Sequence, residues 1–100
     1  MTDCNSLAEV REHINLLDAR IVPLLAERAG YVRQAARFKQ TKNAVVDTAR
    51  IEQIALRVRH LANEEGVDPD LMEHIYRSMI DAYIVFEAKE WTSLHEGPGA

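Results

Sequence analysis

The chain has 100 residues, of which 47% are hydrophobic and 28% are charged, a composition typical of one globular domain spanning residues 1–100. Its formal net charge of -4 gives no electrostatic support for a nucleic-acid partner, and no apolar run is long enough to cross a membrane. No secretion signal is apparent at the start, so we expect a cytoplasmic protein. The single cysteine, Cys4, cannot form an internal disulfide.

The first predicted element is a long helix from about Ser6 to about Lys42. Asn5 or Ser6 can cap it, with Glu9, three residues after Ser6, as the partner in a capping box. The apolar stripe of this helix, at steps of three and four, is Leu7, Val10, Ile14, Leu17, Ile21, Leu24, Tyr31, Ala35 and Phe38. Pro23 should bend the helix, but the pattern resumes in phase after it, so one helix of about 50 Å is predicted.

Two further helices follow a polar connection at about residues 41–48. The second is predicted over residues 48–65, where Gly66 ends it. The third is capped by Asp68 and runs from residue 69 to about residue 94, and residues 96–100 are expected to be disordered. Because no period-2 alternation occurs, the predicted fold class is all-α, with three helices.

The length of the first helix predicts a second copy of the chain. A helix of about 50 Å cannot bury its whole apolar stripe against two shorter helices. An intertwined helical homodimer would cover the remainder. The alternative is a monomeric three-helix bundle with a protruding arm.

Charged residues interrupt the apolar stripe of the first helix. Its rhythm requires an apolar residue between Leu24 and Tyr31, but the sequence has Arg28. On a continuous helix Lys39, eleven positions later, would point in nearly the same direction as Arg28, about 16 Å along the axis. Arg11 would point about 100° away, so it is more suited to completing the pocket of a partner subunit.

The third helix carries a carboxyl group in an apolar row. Glu87 continues a line of residues that begins at Tyr76 and includes Tyr83, at spacings of seven and four. Desolvation there would favour a protonated carboxyl that can donate a hydrogen bond. Asp47 and Arg50 stand at the start of the second helix and add charges near the same connection.

These charges are consistent with either a structural pair or a binding site. Arg28 and Glu87 could form a buried salt bridge, with Arg11 and Lys39 as surface cations. Several misplaced charges at coordinated spacing instead favour an interior site that is rich in Arg and Lys and suited to a small polyanion. The four histidines lack metal-ligand spacing, and no phosphate-binding glycine loop or nucleophile motif is present. An enzyme built from these residues is expected to need no metal, cofactor or nucleophile.

The order of these residues resembles the all-helical chorismate mutase family. The motifs are Arg11, LLAER ending in Arg28, RFK ending in Lys39, then Asp47 with Arg50, and finally Glu87. The resemblance extends from about residue 7 to residue 91. It implies an intertwined homodimer of three-helix chains with two active sites, each acting on chorismate, a dicarboxylate with an enolpyruvyl ether.

The resemblance also implies a role for each site residue. Arg11 of the partner subunit and Arg28 would each hold one substrate carboxylate, and Lys39 and Glu87 would flank the ether oxygen. The implied substrate-binding set is Arg11 of the partner subunit, Arg28, Lys39, Asp47, Arg50, Tyr83 and Glu87. Asp47 would lie near the ring hydroxyl, and Arg50 would support the pocket. The reaction to prephenate would require only orientation of the substrate and stabilisation of charge on that oxygen.

Some segments resemble a sister branch, the isochorismate-pyruvate lyases, which produce salicylate and pyruvate. These segments are YVRQAARFK, EEGVD and YIVFEAKEW. Ile51 follows Arg50 where mutases often carry Glu, whereas Asp47 and Glu87 are of the mutase type. The sequence therefore predicts a chorismate mutase, with the lyase as the first alternative and an enzyme for amino-substituted chorismate as another. A non-catalytic helical dimer that binds a dicarboxylate and a coiled-coil interaction module also remain open.

Overall fold

A computed structural model describes residues 1–97 of the chain. It contains three α-helices: α1 at Leu7–Arg37, α2 at Thr48–Glu65 and α3 at Pro69–His95, with one 3-10 turn at Lys42–Val45. No strand occurs among the described residues. The predicted all-α class, with three helices of which the first is long, is confirmed. The homodimer stays a prediction.

The start of α1 has the predicted capping box. The Ser6 hydroxyl accepts a hydrogen bond from the Glu9 backbone N–H at 3.1 Å. The Glu9 carboxylate accepts in return from the Asn5 N–H at 2.9 Å, which satisfies a second donor at the helix start. The helix continues through Pro23 without interruption.

The end of α1 differs from the prediction. The helix stops at Arg37 and not at about Lys42, and its last turn tightens. The Phe38 N–H binds the Ala35 carbonyl at 3.1 Å, and the Lys39 N–H binds the Ala36 carbonyl at 3.4 Å. Lys39 therefore lies outside the helix, and its predicted helical alignment with Arg28 is wrong.

The boundaries of α2 and α3 are set by caps. Asp47 accepts a hydrogen bond from the Arg50 N–H at 3.0 Å at the start of α2. Gly66 ends α2 in the left-handed conformation with φ 70°, and its N–H bonds to carbonyls of the last turn. Asp68 caps α3 through the Asp70 N–H at 2.9 Å. Both predicted boundaries at Gly66 and Asp68 are confirmed, whereas most of the predicted disordered tail lies outside the described residues.

The chain divides into two compact units, residues 1–31 and residues 32–100. In the second unit, α2 packs against α3, and the 3-10 turn packs against α3 as well. Its buried side chains are Ala36, Val45, Ala55, Val58, Ala62, Ile80 and Glu87. Each buried Val or Ile contributes roughly 1.5–3 kcal/mol of transfer free energy. Small alanines on α2 permit close approach of the helices.

Ion pairs join the exposed sides of α2 and α3. Arg59 contacts Asp70 at 2.8 Å and Glu73 at 3.0 Å. Arg77 contacts Glu73 at 2.7 Å and Glu52 at 2.9 Å. The hydrogen bonds from Arg77 hold the pKa of both Glu52 and Glu73 below the ordinary value of 4.5.

The first unit has no buried residue between positions 1 and 31. The apolar stripe of α1 in this unit, made of Leu7, Val10, Ile14, Leu17, Ile21 and Leu24, is 39% to 64% exposed. This stripe is the predicted dimer surface. Over residues 1–97, no helix combines the length and apolar character needed to cross a membrane. The prediction of a single domain remains a prediction.

Candidate active site

One row of side chains on α3 faces the end of α1. Glu87, Trp91 and His95 are spaced four residues apart, so they occupy successive turns of the same helix face. All three contact the segment at residues 36–39. The candidate site is therefore organised around the end of α1 and the last three turns of α3.

Lys39 and Glu87 form the centre of this site. The Lys39 ammonium donates to the Glu87 carboxylate at 2.5 Å, across 48 positions of sequence. The Glu87 side chain is 8% exposed and that of Lys39 is 25% exposed. A charge-assisted hydrogen bond of this kind is stronger than a neutral one, and partial burial reduces its screening by water.

Trp91 and His95 hold the backbone next to Lys39. The Trp91 indole N–H donates to the Lys39 carbonyl at 2.9 Å. A ring nitrogen of His95, Nε2, lies 3.0 Å from the Ala36 carbonyl. The two rings stack with their centroids 4.5 Å apart and their planes 22° from parallel. These side chains satisfy carbonyls that the end of α1 leaves without intrahelical partners.

Trp91 and His95 were not among the predicted site residues. The signal that could have found them is their spacing of four and eight residues after Glu87. A second contact in the same region is the ion pair between Arg33 and Glu90 at 2.7 Å. Its Arg33 side chain is 52% exposed, so it contributes little to stability.

The other predicted residues of the second unit have individual surroundings. Asp47 is exposed and uses one carboxylate oxygen to cap α2 at the Arg50 N–H. Arg50 is exposed as well. Tyr83 is half-buried and meets Phe86 edge to face, with ring centroids 6.3 Å apart. Within the predicted set, the structure brings the side chains of Lys39 and Glu87 into direct contact.

Arg11 and Arg28 belong to the first unit of the chain. Arg11 is exposed, whereas Arg28 is half-buried despite its position in the apolar stripe. A guanidinium group can bind a carboxylate with two parallel hydrogen bonds. That these two guanidinium groups share a pocket with Lys39 and Glu87 stays a prediction.

The Lys39–Glu87 pair has a definite chemical capability. An ammonium and a carboxyl that lie together in a half-buried site can both hydrogen-bond an oxygen that gains negative charge. The ammonium does so as a donor of up to three hydrogen bonds, and the carboxyl donates only when it carries a proton. Over residues 1–97, no three His, Cys, Asp or Glu side chains are grouped as metal ligands.

A comparison with known families settles the relationship that these residues suggest. The sequence matches the family described as chorismate mutase type II over residues 10–88. The chain belongs to the chorismate mutase type II family. The predicted family resemblance is thereby confirmed, and the match includes Arg11, Arg28, Lys39 and Glu87.

Two curated relatives of this chorismate mutase type II chain carry different names. It is 34% identical over 89 residues to an isochorismate pyruvate lyase of Pseudomonas aeruginosa. The aligned residues make up 89% of this chain and 88% of that relative. The chain is 33% identical over 76 residues to a chorismate mutase of Methanocaldococcus jannaschii. The aligned residues make up 75% of this chain and 77% of that relative. Both predicted branches of the family are therefore represented among its relatives.

Proposed function

We propose that this protein catalyses the rearrangement of chorismate to prephenate. The observation that carries the proposal is the partly buried contact between Lys39 and Glu87 in a chain of the chorismate mutase type II family. Chorismate is a dicarboxylate whose ether oxygen gains negative charge as the C–O bond breaks and a C–C bond forms. Hydrogen bonds to that oxygen stabilise the transition state more than the ground state.

Lys39 and Glu87 would act on the ether oxygen together. When substrate binds, the Lys39 ammonium reorients part of its hydrogen bonding from Glu87 to the ether oxygen. Glu87, which accepts from Lys39 as a carboxylate, takes up a proton from solvent in this step and then donates to the same oxygen from its other side. The direct contact between the two groups supports this pairing, since it places both of them at one site.

Arg28 and Arg11 of the partner subunit would hold the two substrate carboxylates. Bidentate guanidinium contacts at both ends would fold the enolpyruvyl side chain over the ring, which is the geometry needed for reaction. The half-buried position of Arg28 supports this role, since such a site screens the ionic contact less than bulk water does.

A homodimer is part of the proposal because the first unit lacks a core. Residues 1–31 include no buried side chain, although six apolar residues form a stripe along α1. A second copy of the same helix would bury this stripe and bring Arg11 to the partner's site. Each active site would then contain residues from both chains.

We also propose that this enzyme is cytoplasmic.

The remaining predicted contacts lie at the edge of the proposed site. Asp47 caps α2 through Oδ1, so its second oxygen is available to the ring hydroxyl of the substrate. Arg50 would balance the carboxylate charge, and Tyr83 would pack against the substrate ring with its aromatic face. These contacts would select the substrate ring, whereas Lys39 and Glu87 would accelerate the reaction.

The lyase reaction is a second candidate function. The observation that favours it is 34% identity over 89 residues to a protein named isochorismate pyruvate lyase. In that reaction isochorismate loses pyruvate and leaves salicylate. The same ether bond breaks, so an ammonium at the ether oxygen would assist this reaction too.

Product analysis distinguishes the two functions. The purified full chain is incubated with chorismate and, separately, with isochorismate, and the products are separated by chromatography. Prephenate from chorismate, with little salicylate from isochorismate, is the expected result. Salicylate and pyruvate from isochorismate as the main products would instead establish the lyase. If neither prephenate nor salicylate forms, both functions are contradicted.

A further inference from the structure

We propose that Trp91, with His95 stacked on it, is a positioning residue that holds Lys39 in place for catalysis. The proposal rests on the proposed function of Lys39. Neither residue lies within the family match, which ends at residue 88. Both lie on α3, one and two turns beyond Glu87.

Lys39 needs such support because it lies outside any helix. Helix α1 ends two residues earlier, so the Lys39 carbonyl has no helical partner. A lysine side chain has four rotatable carbon–carbon bonds, and an unrestrained backbone would add two more degrees of freedom. Placement of its ammonium therefore depends on how firmly the backbone is held.

The backbone of Lys39 is held on both sides. Its N–H binds the Ala36 carbonyl at 3.4 Å, and its own carbonyl accepts the Trp91 indole N–H at 2.9 Å. The Ala36 carbonyl also lies 3.0 Å from Nε2 of His95. Ala36 itself is 0% exposed, so this anchor point is fixed by packing.

Of the two donors, Trp91 contributes more than His95 to holding the backbone of Lys39. The indole N–H can only donate, and a carbonyl can only accept, so this bond has one possible sense. For the same reason, the His95 contact requires a proton on Nε2. His95 is exposed as a residue, whereas Trp91 is half-buried, so water competes less for the Trp91 bond.

All of these contacts are made by one rigid element. Glu87 accepts a hydrogen bond from the Lys39 ammonium, and Trp91 donates one to the Lys39 carbonyl. His95 contacts the Ala36 carbonyl in the preceding turn. Because the three side chains are on successive turns of α3, their mutual distances are fixed by the helix. A site supported in this way keeps its catalytic group close to the productive geometry.

The kinetic test compares Trp91→Phe with Thr92→Val. The first keeps an aromatic ring and removes the N–H, and the second removes a bond that stays within α3, from Thr92 to the Ala88 carbonyl at 3.2 Å. We expect Trp91→Phe to lower kcat about tenfold with KM within about twofold, because the lost bond acts through Lys39. Thr92→Val should retain wild-type kcat. An unchanged kcat in Trp91→Phe would overturn the proposal.

A double-mutant cycle separates positioning from a general structural effect. In a Lys39→Met background, Trp91→Phe should cause almost no additional loss, because no ammonium remains to be positioned. An equal loss in both backgrounds would overturn the proposal.

Should Trp91→Phe fail to fold, His95→Leu and His95→Gln give the same comparison at an exposed position. His95→Leu should lower kcat about threefold and His95→Gln, which keeps a donor, should restore it; no difference between these two would count against the proposal.

A spectroscopic readout is independent of turnover. In protein labelled with 15N at lysine side chains, an ammonium held in a hydrogen-bonded pair exchanges its protons slowly enough to give a cross-peak at low temperature. We expect the Lys39 cross-peak in the wild type and in Thr92→Val, and its loss or broadening in Trp91→Phe and His95→Leu. An identical cross-peak in all four proteins, or none in the wild type, would contradict the positioning role. This measurement tests the positioning role even when neither chorismate nor isochorismate is turned over. Absence of turnover would refute only the proposed function.

Discussion

The Lys39 ammonium and the Glu87 carboxylate meet at 2.5 Å although the two residues are 48 positions apart in the chain. Burial of a carboxylate costs free energy unless a cation and hydrogen bonds compensate. Glu87 is 6% exposed, and Lys39 provides that compensation. Removal of either partner therefore leaves the other uncompensated, which links the stability of the second unit to its proposed chemistry.

Replacement of Glu87 by Gln should change how activity depends on pH. A carboxyl donates a hydrogen bond only when protonated, whereas the Gln amide donates at every pH. We expect the ratio of kcat/KM for Glu87→Gln to that of the wild type to increase with pH, because only the wild-type side chain can lose its donor proton. Rates on chorismate measured over a series of pH values test the expectation.

The control for this experiment is Glu90→Gln, three residues after Glu87 on α3. It removes a carboxylate that pairs with exposed Arg33 and has no proposed contact with the substrate. Its profile should parallel that of the wild type. Parallel profiles for the wild type and Glu87→Gln would exclude Glu87 as a proton-dependent donor.

Removal of either predicted carboxylate-binding arginine should abolish most activity. Arg28→Ala and Arg11→Ala should each cost about 3 kcal/mol or more of transition-state binding, because each deletes charge-assisted bonds. The measurement is kcat/KM on chorismate, with Arg57→Ala, an exposed arginine of α2, as the matched control. Near wild-type values in either variant would refute the proposed carboxylate contacts.

Mixing the two inactive variants tests whether sites are shared between chains. In a mixed dimer of Arg11→Ala and Arg28→Ala, one site receives both native arginines and the other receives neither. With random exchange, half of the dimers are mixed and each has one intact site, so about a quarter of wild-type activity should return. A mixture as inactive as its components would indicate that each site uses arginines of one chain.

The exposed stripe of α1 should be essential for assembly. Leu17→Glu places a charge in the middle of the stripe and should convert the protein from dimer to monomer in sedimentation experiments. Ala19→Glu adds the same charge about 200° around the helix, at another exposed position, and should remain dimeric. A monomeric wild-type protein would contradict the dimer, and so would a dimeric Leu17→Glu variant.

The ion pairs around Arg77 should make stability depend on pH in acid. Hydrogen bonds from Arg77 lower the pKa of Glu52 and Glu73 relative to 4.5, so the folded chain binds fewer protons than the unfolded chain near that pH. The stabilisation is complete above about pH 5.5 and is lost as the pH falls through the lowered pKa values. Arg77→Met should therefore lower Tm most above that pH and least near about pH 3.

Thermal unfolding between about pH 3 and 7 measures this effect, with Arg57→Met as the control. The wild-type Tm should decrease more steeply in acid than that of Arg77→Met, and added salt should reduce the difference, because these side chains are partly exposed. Curves for the two proteins that run parallel at all pH values would contradict this origin of acid sensitivity.

Local chemistry explains which boundaries could be predicted from the sequence. Gly66 and Asp68 determine their turns through conformations and caps that involve only near neighbours, so the prediction there was confirmed. The end of α1 has no Gly or Pro signal. Trp91 and His95, more than fifty residues further along the chain, bind carbonyls at this end, and no local pattern contains that information.

The same distinction applies to the candidate site. Lys39 and Glu87 could be identified from their family motifs and from the placement of Glu87 in an apolar row, and the structure brings them together. The helical alignment of Arg28 with Lys39 was wrong because it assumed a longer α1. The capping role of Asp47 was missed, although an Asp directly before a helix is a common cap.

The most direct test of the central claim is the rate of prephenate formation from chorismate by Lys39→Met. Methionine preserves much of the apolar length of the side chain and removes its charge. We predict a loss of kcat of about a hundredfold or more, as expected when a donor to a developing oxyanion is deleted, while Arg57→Met retains wild-type turnover. Turnover by Lys39→Met within about threefold of the wild type would contradict the account, since no other ammonium is proposed to stabilise the ether oxygen.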